Sequence, residues 1–390
     1  QYTSARGNVA IQKSTLLPIA SSDGSQPCST FGIHPAMPNL RNLYNAGEAS
    51  FIANVGPLVE PVSKASFEEG MAELPPSLFA HDVQTRAAQS VHAQRVSTAK
   101  GVIGRIMSEL DGEYKTAKYS IRGNSLVLEG GSGAAEVLSA RSGVVQYSRH
   151  LTLSPTINQL HLNVSGSVLG EAWSRQLLSS LSQSEHLGDL LSNAPQITTN
   201  FNSDSLSQQL LQVAKLIRLR GPLRAERDAF YVSLGGFDTH SDIEATLQER
   251  LAWVDHALNS FTNEMRSLGV WDKVTIQIAS EFGRTITSNS LGTDHGWGGN
   301  AVVLGGSVNG GKILGRFPTS LGEESELHVG RGRLIPTTSW ESVFHALAQW
   351  MGVEGGSAAM GRVLPNAGRF MCDRSARSGC GVMNASDVFR

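Results

Sequence analysis

The sequence predicts an α/β fold, a mostly parallel sheet covered by helices on both faces. Three observations carry that expectation. "DAFYVSLGGFDTHS" (228–241) is an apolar strand broken by Gly235-Gly236, and over 242–267 Leu247, Leu251, Val254, Leu258, Phe261 and Met265 recur at steps of three and four, the mark of an amphipathic helix. "KVTIQIAS" (273–280) and "NAVVLGG" (300–306) read as two further strands. The same alternation stands earlier: from about residue 32 to 56, Met37, Leu40, Leu43 and Tyr44 share one helical face ahead of a short buried strand ending at Gly56-Pro57.

Between 85 and 200 the text turns Ser- and Gln-rich and helical, with a hairpin expected at "KYSIRGNSLVLEGG" (118–131). Residues 85–200 therefore read as an inserted subdomain, 1–84 and 201–370 as the α/β core, and the Ser-, Gly- and Asn-rich residues 371–390 as an appendage. Hydrophobic residues make up 40% and charged residues 17% of the 390, the balance of a folded, loop-rich protein. With 32 basic against 34 acidic residues and no basic run, nucleic acid and anionic membrane surfaces are excluded as partners. No apolar run approaches the roughly 20 residues that span a bilayer, so no transmembrane segment is expected. The chain opens at Gln1 with neither methionine nor leader, which reads as a processed protein or a fragment. Cys372 and Cys380 bracket "CDRSARSGC", a loop that closes on itself in an oxidising compartment and leaves Cys28 over; three reduced thiols are the alternative. Sequons at Asn163 and Asn384 matter only in a eukaryotic secretory pathway.

Ligands of parallel α/β sheets sit beyond the carboxyl ends of strands. Those ends carry Asp238 and His240, then Glu281 and Arg284, then Asp294 and His295 in the glycine-rich "GTDHGWGGN". Carboxylates and imidazoles converging from three strand ends suit a cation such as Zn²⁺ or Mn²⁺. Taken singly, each has a plainer role: Asp238 as a helix cap, Glu281 with Arg284 as an ion pair, the histidines as loop residues. His34 stands in "GIHPAM", and His256, in the long helix, reads as a surface or packing residue. Gly311-Lys312 lacks the spacing of a phosphate loop, and no G-x-S-x-G elbow occurs.

"GIHPAMPNLRNLYNAGEASFIANVGPLVEP", "LPPSLFAHDVQ", "LGGFDTHS", "ASEFGRT", "GTDHGWGGNAVVLGG", "GRGRLIPTTSW" and "VLPNAGRF", in this order from about 32 to 370, closely resemble the domain of unknown function 1501 family. That family is similar to the alkaline phosphatase and sulfatase superfamily. The resemblance implies a doubly wound sheet of alkaline-phosphatase type and hydrolysis of phosphate or sulfate esters. It implies Asp238, His240 and His295 as ligands of one divalent metal, with Glu281 placed for a second. Zinc comes first, with manganese, calcium or magnesium as alternatives. Where family members read "FSHNDQ" or "RSHF", this chain has Ala80 in place of the serine, and a methyl group neither attacks phosphorus nor coordinates a cation. The remaining catalytic candidates are Ser77, His81 and Arg284, beside the new carboxylate Asp82. The family's glycine-rich first strand end with its Asp lies upstream of Gln1, so about one ion per chain is expected. The expected protein is thus a secreted or cell-envelope, metal-dependent hydrolase-like chain with covalent chemistry weakened or lost, acting on a small anionic ester or glycan-type substrate. The alternative is a non-catalytic structural, matrix or assembly protein, with self-assembly as its partner chemistry.

Overall fold

The computed structural model describes residues 2–21, 23–131, 133–144, 146–162, 166–372 and 380–390. The expected sequon at Asn163 lies outside them; Asn384 is exposed.

The strand Ala49–Gly56 is buried along nearly its whole length. It pairs antiparallel with Gly299–Gly305 and parallel with the short strands Ile313–Leu314 and Thr338–Ser339, and Gly299–Gly305 in turn pairs antiparallel with Thr275–Ile278. Successive side chains of a strand point to opposite faces. Ala301 and Val303 therefore pack to one side with Ile52, joined by Val55 because the irregularity at Asn54 (φ 45°) shifts the alternation by one, against the helices Val102–Leu110 and Trp340–Met351. Ala49, Val302 and Leu304 pack to the other, against Pro38–Asn45, Ser205–Arg218 and Ile243–Ser267. Both faces are covered, which is why these strands read as continuous apolar runs. A separate three-stranded parallel sheet holds Thr116–Ser120 between Glu136–Val137 and Arg227–Tyr231. Helix ends are tied across the core: Asp255 accepts from the backbone N–H of Leu40 at 2.8 Å and of Asn39 at 3.1 Å, supplying the cap that Met37 cannot.

The molecule is mixed α/β, and the expectation of a mostly parallel sheet is corrected. Gly299–Gly305 runs against both its neighbours because no helix separates it from Thr275–Ile278; the intervening chain is a small antiparallel hairpin, Arg284–Ser288 with Thr293–His295. Parallel neighbours need a long crossover, which this segment lacks. The hairpin expected at 118–131 is also corrected: Thr116–Ser120 pairs in parallel with strands distant in sequence, and Leu126–Leu128 is a 3₁₀ turn. Residues 85–200 are not one insertion. Val102, Ile106, Met107, Leu110 and Leu128 belong to the main core, whereas His150–His161 and the first part of Val168–Ser192 pack on each other and have no fully buried residue before Leu187.

The C-terminal residues are no appendage either, since Met383, Val388 and Phe389 are core residues. The Met383 N–H donates to Ser342 Oγ at 3.0 Å, and Phe389 stacks on Trp350 at 5.4 Å. The Cys372–Cys380 bridge is present, and Cys28 is free and exposed. Closing a loop of sequence separation 8 restricts the unfolded chain by roughly 2.5 kcal/mol. A Cys372→Ser/Cys380→Ser variant is expected to lose about that much in urea unfolding, and an unchanged midpoint would count against the bridge as a stabiliser. Among the described residues, no helix is long and apolar enough to cross a membrane.

Candidate metal centre

Asp238 and His240 lie in the loop after the strand Arg227–Tyr231. Arg284 opens one strand of the small hairpin and His295 ends the other, and the two are register partners. The hairpin reaches the 238–240 loop by backbone contact: Thr293 N–H donates to Thr239 O at 3.0 Å, and a Cβ at Gly292 would lie 2.4 Å from the carbonyl carbon of His240. Only glycine allows that approach. Gly283 is constrained in the same way, its missing Cβ falling 2.0 Å from the Gly298 carbonyl oxygen.

His81 arrives from elsewhere, as the first residue of the helix His81–Ser90. The loop before it places Ser77 and Phe79 at positive φ (47° and 74°), a conformation that costs non-glycine residues energy and marks a constrained site. Phe79 thereby turns its carbonyl toward His295 Nδ1, at 2.7 Å.

The side chains of His81, Asp238 and His295 each offer one ligand atom within 4.8 Å of the others. His81 Nε2 is 3.3 Å from Asp238 Oδ2, and His295 Nε2 is 3.1 Å from Asp238 Oδ1. Donors at about 2.1 Å from a tetrahedral ion stand about 3.4 Å apart, a spacing that the two histidine–aspartate distances match. The outer partners also fit. A carbonyl oxygen only accepts, so His295 carries its proton on Nδ1; the Glu281 carboxylate, 2.8 Å from His81 Nδ1, does the same for that ring. Both Nε2 lone pairs are left facing the centre, which is how outer hydrogen bonds orient metal-binding imidazoles. Phe282, 8% exposed, packs against both rings at 4.8 Å and supplies an apolar wall.

Electrostatics hold the carboxylates ionised. Desolvation works to raise Asp238, but the hydrogen bond and charge of Arg284 (2.6 Å), with His81 and His240, bring it down to about 2. Desolvation likewise opposes Glu281, whose hydrogen bonds from its own backbone, His81 and Ser280 win and lower it. For His81 burial favours the neutral ring, yet Glu281 and Asp238 outweigh it and raise its proton affinity. Arg284 is itself fixed by the hydroxyl and carbonyl of Thr293.

Of the residues expected as ligands, Asp238 and His295 stand in the cluster. Glu281 stands behind His81. His240 lies at the solvent side, its Nε2 2.9 Å from Asp238 Oδ1 and 3.3 Å from His295 Nε2, its Nδ1 3.4 Å from Asp294. His81, expected among catalytic candidates and not among ligands, is the third member; its signal was the histidine of the "FAHDVQ" motif itself. Ser77 is exposed, with its carbonyl accepting the Ala80 N–H, and Asp82 is exposed in the first turn of the helix. His34 donates no side chain to this cluster: its Nδ1 accepts from Ala36 N–H at 3.1 Å. His256 is exposed on its helix.

Ala80 is the N-cap of His81–Ser90, with cap-like backbone angles and no side-chain cap. Ala80→Ser is therefore expected to stabilise the protein by about 1 kcal/mol whatever it does to chemistry, because its hydroxyl can accept an orphan helix N–H. Thermal unfolding checks this, and an unchanged Tm would show that the added hydroxyl points elsewhere.

Fold and cluster together define a mixed α/β protein carrying a His–Asp–His group suited to a metal ion. The chain belongs to the family described as Protein of unknown function (DUF1501), whose model matches residues 2–354. Comparison with curated proteins finds no match.

Proposed function

We propose that this chain is a metal-dependent hydrolase of anionic esters, phosphate or sulfate, on a scaffold of alkaline-phosphatase type. The observation that carries the reading is the convergence of His81 Nε2, Asp238 and His295 Nε2 with both rings locked by acceptors at Nδ1. These three residues would hold the ion, and two imidazole nitrogens in the set favour zinc over manganese, calcium and magnesium, which prefer oxygen. A divalent ion there supplies Lewis-acid polarisation and makes water nucleophilic near neutral pH.

The chain's own groups do the rest. Arginines crowd the centre and would bind and orient an anion. Arg284 lies on Asp238, Arg331 on Asp294 at 3.1 Å, and Arg333 on the His295 carbonyl at 3.1 Å over the Phe79 ring. Phe282 keeps water off one side of the imidazoles. Ala80 offers no nucleophile, so water attacks directly and no covalent ester forms on that residue. The Cys372–Cys380 bridge supports an oxidising location, secreted or in the cell envelope.

A second reading, a non-catalytic assembly protein on the same scaffold, is favoured by Ala80. Zinc- and manganese-loaded protein assayed on aryl phosphate and aryl sulfate separates the two. Turnover lost on chelation supports the hydrolase; loaded wild type and Ala80→Ser both inert on either ester would sink it and leave the second reading.

A further inference from the structure

The carbonyl that orients His295 is itself held at a cost. Phe79 O stands 2.7 Å from His295 Nδ1 where the loop bends through Ser77 and Phe79 at positive φ, 47° and 74°. Non-glycine residues relax out of that region unless their surroundings hold them there. Leu78 and Phe79 pack on the apolar cluster of Leu58 and Trp297, and the Arg333 guanidinium lies 4.0 Å from the centre of the Phe79 ring. Those contacts fix the side chains, and apolar burial has no direction with which to aim a carbonyl. Direction comes from Gln84. Its side chain is fully buried, at 0% exposure, one turn after His81 on the same helix. Its Nε2 donates to the Pro76 carbonyl at 3.2 Å and, at a longer 3.5 Å, to that of Ser77, which also accepts the Ala80 N–H at 3.1 Å. Its Oε1 is buried with no partner among the described residues. An unpaired buried acceptor works against stability, so what this amide contributes lies in its two donors. We propose that Gln84 is a positioning residue of the metal group, a role that rests on the metal reading of His81, Asp238 and His295: from the helix that carries His81, it holds the 76–79 loop in the shape that keeps the Phe79 carbonyl on His295 Nδ1.

The loop has to be held because two acceptors compete for His295. Its Nε2 lies 3.1 Å from Asp238 Oδ1, and a carboxylate accepts more strongly than a carbonyl. Where Phe79 O turns away, the proton of the neutral ring passes to Nε2 and bonds Asp238. That nitrogen then has no lone pair for a metal. One buried amide thus ties the two imidazoles together: His81 starts the helix on which Gln84 sits, and residues three apart share a helical face, while the loop that Gln84 grips meets His295.

The NMR signal of the His295 Nδ1–H, in metal-free full chain with isotopically labelled histidines, tests the proposal; its absence in His295→Ala assigns it. A ring proton locked in a hydrogen bond exchanges slowly with water and is observed, and wild type is expected to show it. Gln84→Met removes both donors at similar length, and Gln84→Asn keeps an amide that is one methylene short. Each should lose the signal and bind zinc about 10-fold more weakly by calorimetry, with circular dichroism unchanged. A merely structural glutamine would lower Tm alone, so variants that melt earlier yet keep both the signal and the zinc affinity overturn the proposal. Zinc affinity lost with the signal intact overturns it too. Wild type without the signal overturns it before any variant is made. Wild type that shows the signal but binds no zinc rejects the metal reading of the site, and loss or persistence of the signal in the two variants still decides whether Gln84 positions the ring.

Discussion

His81→Ala and His295→Ala are each expected to weaken zinc binding at least 100-fold, read by titration calorimetry and by metal content after dialysis. Losing either imidazole leaves two of the three donors of the group, and His240, 2.9 Å from Asp238 Oδ1 on the solvent side, could replace it only in part. The two variants should be equally damaging. The ligand set expected from sequence, Asp238, His240, Glu281 and His295, instead has His81→Ala binding normally, and that result would reject the triad. Glu281→Gln is expected to lose roughly 10–100-fold, because it alters the partner that orients His81 without removing a donor. Binding should also strengthen as pH rises through the imidazole range. Glu281 and Asp238, against desolvation, raise the proton affinity of His81, and a proton on Nε2 must leave before that atom can donate to a metal.

Glu341 carries the second large effect. It is 1% exposed in the core helix Trp340–Met351, accepting from Asn366 Nδ2 at 3.3 Å, while Asn366 exchanges two 2.8 Å hydrogen bonds with Gln94. Burial raises its carboxyl from the ordinary 4.5 to about 8, against the smaller lowering effects of its own backbone, Asn366 and the charge of Arg105. Between those values the folded chain keeps a proton that the unfolded chain has released. Stability is therefore full below about pH 4.5 and falls as pH rises to 8. A separation of that size corresponds to roughly 3–5 kcal/mol. Glu341→Gln, which imitates the protonated acid, should match wild type near pH 4.5 and be the more stable protein at pH 8.5. Urea unfolding at the two pH values measures the difference, and parallel loss of stability in both proteins would show that Glu341 does not titrate in this range.

Much of the chain was legible as local pattern. The step of three and four from Leu247 to Met265 gave a helix, because one face had to bury. "ASFIANVG" and "NAVVLGG" gave strands because both their faces are covered. The short polar loop made Cys372–Cys380 one of two readings, beside three reduced thiols, and the structure chose it; Asp238 and His295 were visible as polar residues at strand ends flanked by glycine. What failed were readings that depend on partners far away. The direction of Gly299–Gly305 turned on the absence of a crossover helix, and Lys118–Ser120 chose a parallel neighbour more than 100 residues on over a local hairpin.

The sequence by itself determined an alternating α/β chain, two cysteines close enough in the chain to pair, and the carboxylates and imidazoles available for a site. Tertiary structure alone decided which of them meet. His81 precedes Asp238 by more than 150 residues, and no spacing rule connects them. They are joined because a loop with two residues at positive φ turns Phe79 toward His295, and because glycines at 283 and 292 let backbones approach closely enough to seat the hairpin. A metal site needs donor atoms fixed to within a few tenths of an ångström, and that accuracy comes from packed neighbours that hold each ring, which no stretch of chain specifies alone.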